Sequence, residues 1–235
     1  MNLGLLILLF LALPLLASAW VRYSNPGADG IKLLLAFSGA FLLSVAVLHM
    51  LPELYMSGGE GIGLWILGGF LLQVVLEFFS RGIEHGHVHV HKGHDHTLPL
   101  ATLLSLCLHS FAEGIPFADP RVHGNLPFVA GVLMHKMPMA IALATVLQRS
   151  HVPAGRSWAM IVIFALSVPL GIATGVLGLD LLGGAPIMRA LGLAIGMLLH
   201  ISTTIIFEST PDHRFNAKRF ITVLAGALLG YFTSH

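Results

Sequence analysis

The segment Leu108–Ala118, "LHSFAEGIPFA", puts a histidine and a glutamate four residues apart in an otherwise apolar run. Met134–Ala144, "MHKMPMAIALA", places His135 and Lys136 side by side in another apolar run. What surrounds these groups decides how they are read. The chain has 235 residues, of which 56% are hydrophobic and 10% charged, against about 25% charged in an ordinary soluble domain. Its apolar residues come in long runs, and a helix needs roughly 20 such residues to cross hydrocarbon. Eight runs are read as spans: Leu3–Arg22, Ile31–Leu54, Ile62–Gly82, Leu98–Ala118, Leu126–Gln148, Trp158–Gly178, Pro186–Glu208 and Arg219–Thr233. The last is the shortest. The expectation is an all-α integral membrane protein, a single domain over residues 1–235 with eight helices in one bundle.

Short connections join the runs: "SNPGADG", "SGGEG", "DPRVHGN", "HVPAGRS" and "STPDHRFNAK". Their Gly, Pro, Asn and Ser residues supply turn conformations. No connection is long enough for a soluble domain, and helices satisfy their own backbone groups in lipid. The first run ends in the small-residue tail "ASA" but lacks the basic stretch that opens a secretory signal. It reads as a retained span, with cleavage as the alternative. The lone Cys107 excludes an internal disulfide, and a net charge of +1 gives no reason to expect a nucleic-acid partner.

Basic residues orient a membrane protein, because cytoplasmic loops are rich in Lys and Arg. With the N-terminus outside, the cytoplasmic ends hold Arg22, Lys32, Arg81, Lys92, Arg149, Arg156, Arg214, Lys218 and Arg219, and the outer ends only Arg121 and Arg189. Both termini are therefore expected outside, in a plasma membrane or bacterial inner membrane. That orientation places the tract "EHGHVHVHKGHDH" (residues 84–96), and with it the loop 85–97, in the cytoplasm. Its His85, His87, His89, His91, His94 and His96 alternate with other residues in a Gly-containing segment, a pattern that suits multidentate metal contact. Imidazole accepts zinc, copper, nickel and iron, so the tract does not select an ion.

Ionisable groups inside a bilayer are costly and point to function. Residues four apart on a helix share a face, so His109 and Glu113 offer a nitrogen and an oxygen to one ion. His135 and Met139 share a face of the fifth span in the same way, and Ser110 and Lys136 adjoin the two histidines. At about 1.5 Å rise per residue, His109, Glu113, His135 and Met139 fall within roughly 10 Å of one another in depth. A short connection makes the two spans antiparallel neighbours. Two imidazoles and a carboxylate suit zinc or ferrous iron, and Met139 could add a soft sulfur. Further polar groups trace a path by depth: His49 and Glu53 at the outer end of the second span, Gln73 and Glu77 in the third, His200 and Glu208 in the seventh. Each of these could instead pair helices.

These residues resemble the ZIP (Zrt/Irt-like) family of divalent metal transporters. The resemblance rests on "HSFAEG" in the fourth span, His-Lys-x-Pro-x-Ala in the fifth, His-x-x-Pro-Glu in the second and the histidine tract between spans three and four. It implies carriage of zinc, and also iron, manganese or cadmium, toward the cytoplasm. It further implies a pathway formed by the fourth and fifth spans inside the other helices, and a homodimer in lipid. The metal is then cargo; no cofactor and no enzymatic activity are expected. Some bacterial members hold two metals, using Asn after the fourth-span His and Asp and Glu in the fifth span. Those places read Ser110, Lys136 and Met139 here, and the sixth-span Glu-Pro-Leu-Gly reads "VPLG" from Val168. The second metal position is thus expected to be absent, with Lys136 filling that cation's space beside Glu113 or else snorkelling away. Two rivals are an efflux carrier and an intramembrane zinc hydrolase. The hydrolase lacks a His-Glu-x-x-His motif.

Overall fold

The computed structural model describes residues 1–24, 27–80, 82–83, 98–208 and 216–234, so the histidine tract lies outside the described residues. Among the described residues there is no strand. The helices are α1 (Leu3–Ser24), α2 (Ala28–Val45), α3 (Leu51–Ser57), α4 (Ile62–Ser80), α5 (Leu98–Gly114), α6 (Pro120–Gly124), α7 (Leu126–Arg149), α8 (Ala154–Leu182), α9 (Gly184–Glu208) and α10 (Ala217–Ser234). Apart from α6, and with α2 and α3 taken together, they match the eight expected runs to within about four residues at each end. Among the described residues, seven spans are long and apolar enough to cross a membrane, with α2 and α3 forming one of them. The eighth run, expected as a span, forms the 18-residue α10 and is not among those seven. Lys218 and Arg219 open it, which dilutes its apolar character. Even so, α10 lies along α2, where Gly226 faces the Phe37 backbone.

Two prolines produce local structure that apolar patterning does not reveal. Pro52 cannot donate to the carbonyl one turn back, and the turn just before it, Ala46–Met50, widens to a π-helix. Pro116 likewise ends α5, and Ile115–Ala118 tightens to a 3-10 turn. The connection "DPRVHGN", read from sequence as a plain loop, holds the short helix α6. Asp119 caps α6 by accepting from the Arg121 amide at 2.9 Å, and Asn125 caps α7 by accepting from the Phe128 amide at 3.0 Å. Such side-chain acceptors satisfy amides that a helix start leaves unpaired.

At the centre stands α7, contacted by α1, α2, α5, α8 and α10 and buried over most of its length. The packing around it falls into two apolar clusters. One includes Phe10, Phe41, Phe117, Phe128 and Val132. The other includes Leu35, Leu106, Met139, Leu143, Phe164 and Ile201. On α7 the buried members of the first cluster end at Val132 and those of the second begin at Met139, and His135 and Lys136 lie in between. Helix pairs elsewhere meet backbone to backbone. Gly196 of α9 lies against the Ile66 carbonyl of α4, and Gly69 of α4 against the Leu193 carbonyl of α9. Small residues permit such close approach where no hydrophobic drive separates protein from lipid.

A methyl group at either glycine would collide with backbone that cannot swing aside. Gly69→Ala and Gly196→Ala should each lower thermal stability, by about 1–3 kcal/mol as for other overpacked sites. Gly155→Ala, in open space at the start of α8, should leave it unchanged or slightly raised. Hydrogen bonds from Arg121 hold the Asp119 carboxyl below the usual carboxylate range. A depressed carboxyl contributes its stability above its unfolded pKa and loses it as pH falls through the folded value. Asp119→Ala should therefore cost about 1 kcal/mol at neutral pH, and its melting curve should converge with wild type under acid.

Candidate metal site

Three side chains meet in the gap between the apolar clusters: His109 and Glu113 from α5 and His135 from α7. One ligand atom from each lies within 4.8 Å of the others, and all three residues are buried. His109 Nε2 is 3.0 Å from Glu113 Oε1. The His109 and His135 rings stand edge to face, with centroids 6.2 Å apart. Tetrahedral zinc, with bonds of about 2.0–2.1 Å, would set its ligand atoms roughly 3.3 Å apart. Modest side-chain closure would bring the three to that spacing. Two imidazoles and one carboxylate leave a fourth position open, as in sites that exchange a ligand. No other His, Cys, Asp or Glu among the described residues joins the group.

Lys136 does not snorkel. It is 1% exposed, its Nζ pairs with Glu113 Oε2, and it donates to Ser110 Oγ at 2.7 Å. The Phe164 ring lies 5.9 Å from the ammonium, within cation–π range. Each oxygen of Glu113 thus has its own partner, His109 on one side and Lys136 on the other. Ser110 contacts the lysine. Met139 is fully buried one turn along α7 from His135, within the second apolar cluster.

The expected neighbour relation of α5 and α7 needs refinement. Helix α5 packs chiefly on α8 and meets α7 over a short stretch. Gly114 and Gly171 allow this, since Gly171 sits against the Phe111 carbonyl and Gly114 against that of Val168. The polar cluster is where α5 and α7 come together.

The other sequence candidates spread along the bundle. His49 and Glu53, on the π turn and α3, are partly exposed and 4.0 Å apart. Glu77 of α4 and His200 of α9 form a half-buried pair at 2.5 Å, with the Phe70 ring edge-on to the imidazole at 4.8 Å. Glu208 ends α9. Gln73, one turn before Glu77, is fully buried and places Oε1 3.1 Å from His109 Nδ1. Sequence reading grouped Gln73 with Glu77, and the structure brings it to the cluster instead. A buried amide in an outlying helix was the available signal; its partner depended on the rotation of α4. A cavity of about 530 Å³ lies apart from all of these, between α1, α7 and α8. Arg22, Gln148, His151 and Trp158 line it, and no carboxylate does.

The family model described as ZIP zinc transporter matches residues 96–233, more than half the chain. "Zinc transporter ZIP1" of Takifugu rubripes is 33% identical over 155 residues, covering 62% of this chain and 49% of that protein. "Zinc transporter ZIP13" of Bos taurus is 38% identical over 91 residues, covering 32% of this chain and 21% of that protein. The chain therefore spans about half the length of the first relative and about a fifth of the second. Seven apolar spans together with the family match make this an integral, multi-pass membrane protein.

A ligand that binds only the folded state stabilises it. Zinc at about a hundred times its dissociation constant should add about 2.7 kcal/mol to the wild type. The gain should vanish in His135→Ala, as read by thermal unfolding in detergent with and without metal.

Proposed function

The chain belongs to the ZIP zinc-transporter family, and we propose from its buried His109, Glu113 and His135 that it carries zinc across the membrane toward the cytoplasm. The observation supporting this is the convergence of three metal-ligating side chains within 4.8 Å in a polar layer between two apolar clusters. A site so placed is shielded from water on both sides, which suits a carrier that opens to one side at a time. Iron, manganese and cadmium are further candidate cargoes, because geometry and availability select among metals more than donor type does.

Zinc enters past His49 and Glu53 and is held by His109, Glu113 and His135, with Met139 next along α7. It leaves past the Glu77–His200 pair and Glu208 toward the histidine tract, His85 to His96. Imidazole and carboxylate bind metal only when deprotonated, so release requires a proton or a competing ligand, and the tract supplies competing imidazoles. Lys136 stands where a second cation would otherwise sit. It neutralises Glu113 between cargo ions and keeps the layer from needing a permanent second metal. Because Lys136 and Ser110 occupy the Oε2 side, the incoming ion takes the Oε1 side, next to His109 Nε2.

Exposed apolar side chains of α4, among them Leu64, Leu67, Leu71 and Phe78, meet lipid or a second copy of the chain. An efflux carrier would use the same ligands in the opposite direction. The hydrolase reading gains nothing from the geometry, since both oxygens of Glu113 are engaged and no other carboxylate among the described residues joins the cluster.

Uptake of radioactive zinc into sealed vesicles of known orientation tests the proposal, with wild type beside His109→Ala. Saturable movement toward the cytoplasmic face that disappears in the mutant is the expected result. Movement in the opposite direction, or binding without net movement, overturns it.

A further inference from the structure

Taking His109 as a metal ligand, we infer that Gln73 is a positioning residue that fixes which nitrogen of His109 faces the ion. Its side-chain oxygen accepts a hydrogen bond from Nδ1–H and leaves the Nε2 lone pair for the metal.

The geometry for this is closed. Gln73 is fully buried, although α4 is the least buried of the seven spans. Its Oε1 is 3.1 Å from His109 Nδ1, while its own Nε2 has no hydrogen-bond partner among the described residues. The amide thus makes one polar contact, and that contact is to the far nitrogen of a proposed ligand. A neutral imidazole carries a proton on one nitrogen and a lone pair on the other. With a proton held on Nδ1, the Nε2 lone pair is available to an ion arriving on the Glu113 Oε1 side, 3.0 Å away. In the ion's absence Nε2 keeps a proton that it donates to that carboxylate and releases when the ion binds. If the amide nitrogen faced the ring instead, Nε2 would carry the proton and the ligand position would be closed. A carbonyl or carboxylate behind a metal-bound histidine serves this purpose in metal sites generally.

Gln73 is not itself a ligand, because its oxygen lies on the opposite edge of the ring from Glu113. The register is held by a second link between the same two helices: Ser105 of α5 donates to the Leu76 carbonyl of α4 at 2.6 Å. An amide rather than a carboxylate also keeps the layer's charge in balance. Glu113 and Lys136 already cancel, and a further negative charge would hold a divalent ion more tightly and slow its release.

Cobalt(II) titration of the purified full chain in nanodiscs tests the inference through both affinity and the visible d–d absorption. Gln73→Leu and Gln73→Met lack a carbonyl acceptor and should bind about 10–100-fold more weakly, with an altered spectrum. Gln73→Glu keeps the acceptor and should bind at least as tightly as wild type. Wild-type affinity and spectrum in the Leu and Met variants would overturn the inference, and so would a Glu variant as weak as they are. His109→Ala, titrated alongside, separates this from the reading beneath it. If that variant loses the cobalt spectrum while Gln73→Leu and Gln73→Met keep theirs, only the role of Gln73 falls. If His109→Ala also leaves the spectrum unchanged, the metal site itself falls and the role of Gln73 with it.

Discussion

The carboxylate of Glu113 has almost no access to water. Moving an ion of that size out of water costs several kilocalories per mole even after the protein relaxes, so its charge must be answered locally. Lys136 meets one oxygen and His109 the other. One partner comes from the neighbouring helix, and this brings α5 to α7 at the level of the cluster although α5 lies mainly along α8. The apolar clusters on either side then have a fixed place to stop. Buried ion pairs often add little stability compared with apolar residues of the same volume. Retention of a charged pair here accords with the metal-holding role proposed for the cluster.

The helices were legible because lipid demands long apolar runs with satisfied backbones. His109, Glu113 and His135 were legible for a related reason: ionisable groups within such runs stand out. Lys136 was left between two fates by its sequence position, since a long flexible stem allows either. Burial together with Ser110 and Glu113 settles where its ammonium lies. The π turn at Ala46–Met50 and the 3-10 turn at Ile115–Ala118 arise from backbone adjustment around prolines, to which hydropathy is blind. Gln73 shows the limit most clearly. Its residue type and spacing marked it as polar and inward, but pairing with His109 depends on how α4 is rotated, and the glycine contacts with α9 set that rotation.

Those glycine contacts also bear on how the sequence can drift. Where Gly69 and Gly196 press against carbonyls, no larger residue fits, whereas Leu67 and Leu71 on the same helix α4 face outward and touch little. A single helix therefore carries one lane that is frozen and another that is free, in the period of the helix itself. Among descendants of this chain, variation would run in stripes down each span. An invariant glycine far from the His109–Glu113–His135 cluster would record a backbone contact, not chemistry.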